Sequence, residues 1–105
     1  MSTVTLQIQL PTARTDGSTI TPDQIAGTDI FDTAAINPAV AIGTIPGAGT
    51  SFTTGTLTVG DHTFTAETRD TTGHVSADSN SMTVTVPATL ANPNPPIILS
   101  ATLNP

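Results

Sequence analysis

The sequence predicts an all-β protein folded as an antiparallel sandwich, and three observations carry that expectation. Short apolar–polar alternations recur along the chain, and turn residues separate them at roughly 8 to 12 residues. No segment sustains a 3.6-residue period with caps. Composition agrees: charged residues make up only 10 %, and Thr, Ser, Gly and Pro fill the space they leave. Thr favours strands, whereas Gly and Pro favour turns. Apolar residues recur throughout, so the chain is not of the disordered type. At 105 residues and 10.6 kDa it has room for one domain with a modest core.

The elements follow in order. "TVTLQIQLP" sets Val4, Leu6, Ile8 and Leu10 against Thr3, Thr5, Gln7 and Gln9, a full strand at period two that Pro11 stops. "TARTDGSTITPDQ" is a loop, marked by the Asp16-Gly17 turn signal and by Pro22. "IAGTDIFDT" reads as a second strand with Thr28 and Ile30 on one face. The pattern from Ala34 to Ile45 is weak; "AVAIGTI" is assigned as a strand and "PGAG" as the turn after it. "SFTTGTL" gives a short strand ending at Leu57. "HTFTAETRD" then alternates His62, Phe64, Ala66 and Thr68 against Thr63, Thr65, Glu67 and Arg69. A loop built on Gly73 leads to "SMTVTVP", with Met82, Val84 and Val86 on one face.

Charge narrows the function classes. Arg14 and Arg69 are the only cations against eight acidic residues, giving a net charge of -6 and a pI near 4.1. Phosphate binding needs clustered Lys and Arg, so nucleic acid is not an expected partner, nor is an anionic lipid surface. No apolar run approaches the roughly 20 residues of a membrane helix. "MSTVTLQIQL" lacks the basic and apolar regions of a signal peptide. The expectation is a protein that stays where it is made, or leaves by cell lysis or inside an assembly. Without Cys there is no disulfide framework, thiolate metal site or Cys nucleophile.

"SFTTGTLTVGDHTFTAETRDTTGHVSADSNSMTVTVP", residues 51–87, resembles the second half of a fibronectin type III domain. There strand E leads through a Leu-x-x-Gly turn into strand F, a "D-x-x-G-x-x-S" loop and strand G. "VTLQIQLP" stands where strand B would lie, and "IAGTDIF" stands before strand C. Ile8 then occupies the place of the family's core Trp, Thr28 that of a strand C Tyr, and His62 that of the corner tyrosine. The resemblance implies an immunoglobulin-like sandwich over 1–87 whose first strand, A, is missing from the front. That strand resembles "PPIILSATLNP" at the other end, beyond a Pro/Asn-rich linker over 88–96.

In the segment 97–105, Ile97, Leu99, Ala101 and Leu103 share one face, and Ile98, Ser100 and Thr102 the other. Burying the three larger side chains of the first face contributes at most about 5 to 9 kcal/mol. Ordering the segment costs about 1 to 2 kcal/mol per residue, so it also needs backbone pairing with a sheet edge. Docking in cis would ask "ATLANPN" to cross the sandwich, and seven residues reach at most about 25 Å. Pro93, Pro95 and Pro96 favour an extended spacer. The alternatives are a strand given to a neighbouring copy or another partner, cis completion, a free terminus, or the start of a second domain. Ile97, Ile98, Leu99, Ala101 and Leu103 are the expected interface residues.

No residue pattern points to catalysis or to a cofactor. His62 and His74 lack metal-pair spacing, and His62 reads as a buried, hydrogen-bonded core histidine, His74 as a solvated loop residue. Asp29 with Asp32, and Asp70 with Asp78, form loose pairs without the pattern of an EF-hand loop. Asp70 and Arg69 read as a loop hydrogen-bonding group and a surface charge. Ser51 in "GAGTSF" has neither a nucleophile elbow nor a His relay, and the stretch lacks the P-loop Lys. The expected function is non-enzymatic: a self-associating or docking structural subunit whose partners are itself or another protein of the assembly. The resemblance extends to accessory proteins of tailed bacteriophages, in capsid decoration or tail appendages, which implies a virion component made in the host cytoplasm. The alternatives are an adhesion or carbohydrate-binding module at the cell surface or outside the cell, although the chain has no Trp or Tyr platform, and a filament subunit joined by strand donation.

Overall fold

The computed structural model describes residues 2–88 and 92–105. Within them the protein is all-β: β1 (Thr5–Gln7), β2 (Ile25–Asp32), β3 (Gly43–Pro46), β4 (Ser51–Thr53), β5 (Gly60–Asp70) and β6 (Met82–Val86), with one 3-10 turn at Pro22–Gln24. The strands form two antiparallel sheets, β1-β4 and β3-β2-β5-β6.

Each sheet turns its alternating apolar positions toward the other. Ile30, Ile45 and Phe64 are buried at the centre, and Val4, Leu6, Ile8, Phe52, Leu57, Ala66 and Val84 pack around them. Leu6 stands opposite Phe52 on one sheet, while Ile30 faces Ala66 and Phe64 faces Met82 on the other. Thr28 and Ile30 do share the buried face of β2. The Phe52 ring closes the layer over Gly43, where a Cβ would fall 2.4 Å from ring carbons.

The structure shortens three of the expected strands. The first, expected over the alternation from Thr3 to Leu10, pairs as a strand only at Thr5–Gln7, because the Val4 N–H is taken by the Thr54 hydroxyl rather than by a ladder carbonyl, although Ile8 N–H still reaches the Thr50 carbonyl. The strand assigned to "AVAIGTI" begins only at Gly43, because the preceding residues turn instead: Ala34 N–H donates to Asp32 Oδ1 at 2.9 Å, and Val40 N–H to the Asn37 carbonyl at 3.0 Å. An Asp side chain that satisfies nearby backbone competes with strand pairing, and Pro38 has no N–H for a ladder. The strand expected through Leu57 stops at Thr53, since Thr54 Oγ1 accepts the Val4 N–H at 2.9 Å. Leu57 rejoins the sheet through an isolated bridge to Ser2. Of the expected linker, residues 89–91 lie outside the described residues. Residues 92–105 carry no strand pairing in the structure.

Candidate interaction surface

The 92–105 segment is the largest apolar anomaly of the molecule. Ile97, Ile98, Leu99 and Leu103 are 82, 87, 93 and 91 % exposed, and Ala101 is exposed with them. Isolated apolar side chains on a surface are ordinary, but a contiguous run of them marks a contact site. No residue from 79 to 105 carries a charged side chain.

A complementary feature lies on the sandwich itself. The two-stranded layer covers only part of the four-stranded one, leaving a groove of about 680 Å³ between β1 and the β5–β6 side. Val4, Leu6 and Ile8 form one wall and Phe64, Met82 and Val84 the other. Met82 is 58 % exposed there. None of the lining residues is ionisable.

The groove borders an unpaired strand edge. Thr54 N–H donates to the Val4 carbonyl, and Ile8 N–H to the Thr50 carbonyl, both at 2.8 Å. Hydrogen-bonded pairs alternate along an antiparallel ladder, so the even positions of β1 face β4. The backbone groups of Thr5 and Gln7 therefore point away from β4, and β1 has no second neighbour among the described strands. Their side chains stay on the outer face, where Thr5 meets Thr53 at 2.9 Å and Gln7 Nε2 donates to Ser51 Oγ at 3.2 Å.

The polar residues singled out in the sequence are structural in their contacts. His62 is buried, with Nδ1 at 2.6 Å from Asp32 Oδ2 and Nε2 at 2.7 Å from the Thr58 carbonyl. Acceptors at both ring nitrogens favour the imidazolium form, and the pKa of His62 is raised, chiefly by the Thr58 carbonyl and next by Asp32. Asp29 instead points to the other face of β2, bonded to Arg69 Nε at 2.9 Å and Thr44 Oγ1 at 2.7 Å. The Arg69 and Thr44 bonds hold its carboxyl below the ordinary range. The Asp29–Asp32 pair is thus split between two sides of one strand.

Asp70 organises the loop after β5. It accepts from Arg14 Nη1 at 2.7 Å, Thr72 N–H at 3.0 Å and His74 N–H at 2.8 Å, while Gly73 takes φ +93° to complete the turn. Its side chain is almost wholly enclosed, and the Arg14 bond in particular drives its pKa far below the usual carboxylate range. His74 is the exposed loop residue expected, although its Nδ1 also meets Thr72 Oγ1 at 2.8 Å. Asp78 lies apart from Asp70, beside Glu67, whose pKa is raised by the hydrogen bond between the two carboxyls. Among the described residues no three His, Asp or Glu side chains gather as a metal would require. Ser51 lies in β4 with its hydroxyl accepting from Gln7.

The sequence indicated the apolar C-terminal segment but missed the groove. Alternation in "TVTLQIQLP" and "SMTVTVP" identified inward faces, yet it carried no signal that those faces remain half open. Ile36, fully exposed, and Val40, 57 % exposed, form a second apolar group in the turns before β3 that the weak pattern there also concealed. No family model, curated protein or solved structure matches the chain.

Proposed function

We propose that this chain is a non-enzymatic structural subunit: a fibronectin type III-like sandwich that joins a larger assembly through its sheet edges and its 97–105 segment. The observation that carries the reading is the full exposure of an alternating, charge-free apolar segment beside a sandwich with an open strand edge. Supporting it is the strand order. In immunoglobulin-like sandwiches strands A and B are neighbours on one sheet and C, F and G form the other. With β1 and β4 as B and E, and β2, β5 and β6 as C, F and G, the unfilled position is A.

Incorporation in a virion, as a capsid decoration or tail appendage of a tailed bacteriophage, is the setting that best suits an acidic, Cys-free, Thr-rich subunit of this kind. Its partners there are further copies of itself or another structural protein.

Light scattering on the full chain and on a version ending at Pro87, with thermal unfolding of both, tests the reading. An oligomeric full chain and a monomeric, less stable short version are the expected results. Two monomers of equal stability would overturn assembly through the segment and favour a binding module.

A further inference from the structure

We infer that the groove between β1 and β6 receives residues 97–103 of a second copy of this chain, which adds a strand to the free edge of β1. The inference rests on the self-association proposed above and narrows it to one acceptor and one donor.

Four observations converge on that pairing. First, the backbone groups of Thr5 and Gln7 face outward from the β1-β4 sheet, which leaves a row of donors and acceptors ready for another strand. Second, the donor fits in phase. With Ile97, Leu99, Ala101 and Leu103 turned toward the groove, they continue the inward face of Val4, Leu6 and Ile8, and Ile98, Ser100 and Thr102 continue the outer face of Thr5 and Gln7.

Third, the lengths agree. Ile97–Leu103 is bounded by Pro96 and Pro105 and contains no Pro, so every one of its N–H groups can enter a ladder. At about 3.3 Å per residue it spans about 23 Å, enough to cover the stretch of β1 hydrogen-bonded to β4, from Val4 to Ile8, with a residue to spare at each end. Fourth, charge selects the pair. Copies of a chain with net charge -6 repel one another, and the groove and the 92–105 segment are two surfaces that meet without bringing charged side chains together.

Two other open edges serve less well. No residue of β3 or β4 lines the groove, so a strand added to either would not fill it. β3 is short and ends at Pro46.

Because each copy offers one donor and one acceptor, the contact is heterologous and propagates head to tail into a ring or an open filament.

The absence of Cys makes disulfide mapping direct. Full-length Gln7→Cys is mixed with full-length Ser100→Cys or Thr102→Cys under mild oxidation, with Ala39→Cys in the turns before β3 as the control acceptor. The expected result is a mixed disulfide at Gln7→Cys at least tenfold more abundant than at Ala39→Cys, and its loss when the donor also carries Leu99→Asp. Equal yields at the two acceptors overturn the groove as the site. If the full chain remains oligomeric in that case, assembly through the segment survives and only this acceptor fails. In the double variant Gln7→Cys/Ser100→Cys, a disulfide within one monomer, with none between chains, overturns exchange in favour of cis completion.

Discussion

His62 is the residue whose chemistry most depends on its surroundings. Its ring sits between two acceptors, Asp32 and the Thr58 carbonyl, in the buried layer above Phe64. An unfolded histidine titrates near 6.5, and the folded value is raised. The stability this group contributes is therefore complete below about pH 6.5 and is lost as pH rises through the folded value. Asp29 and Asp70 act in the opposite sense, since their lowered values favour the folded state above about pH 4 and lose that effect as pH falls. Urea midpoints against pH should peak between these limits, and His62→Gln should remove the decline on the alkaline side. Asp32→Ala, which strands a buried imidazole and frees the Ala34 N–H, should cost about 3 to 5 kcal/mol in the same assay.

Three strands were legible from their alternation, whereas the alternation from Thr3 to Leu10 overstates β1, which pairs only over Thr5–Gln7. β2, β5 and β6 fall within a residue or two of where "IAGTDIFDT", "HTFTAETRD" and "SMTVTVP" place them, because their period-two faces became the two sides of one sheet. The region from Ala34 to Ile42 was not legible, since its apolar residues face solvent in turns held by Asp32 and Asn37 rather than obeying a strand period. Nor could the sequence reveal that Phe52 lies on Gly43, a contact between strands joined by a turn. There a methyl group has no room, so Gly43→Ala should cost about 1 to 3 kcal/mol. A Phe52→Leu background should relieve part of that loss, as a double-mutant cycle by urea unfolding would measure. Ile30, with no exposed surface, should lose about 2 to 5 kcal/mol as Ile30→Ala.

Under the proposed assembly, electrostatics should act against association rather than for it. A contact made between uncharged surfaces of copies with net charge -6 gains nothing from ion pairs, while the remainder of each copy repels its neighbour. Salt shortens that repulsion, with a Debye length falling from about 30 Å at 0.01 M to about 8 Å at 0.15 M. Mass by light scattering should therefore rise with ionic strength over that range. A mass that fell with salt would mean that ion pairs join the copies, and the apolar joint would be wrong. The sequence made the proposed donor readable, because an alternating apolar segment stands out after the last strand. It left the groove hidden, because an open groove is made by strands that are absent from it.

The two arginines have a consequence outside stability. Arg14 is tied to Asp70, and Arg69 lies within the longest strand, tied to Asp29; the chain has no lysine. A digestive enzyme that cuts after basic residues finds only two sites, and neither lies in the exposed apolar segment. The folded protein should pass through such enzymes intact and be trimmed first by those that cut at the exposed Leu99 or Leu103, so that, under the proposed assembly, a short exposure to such an enzyme yields a body that no longer associates.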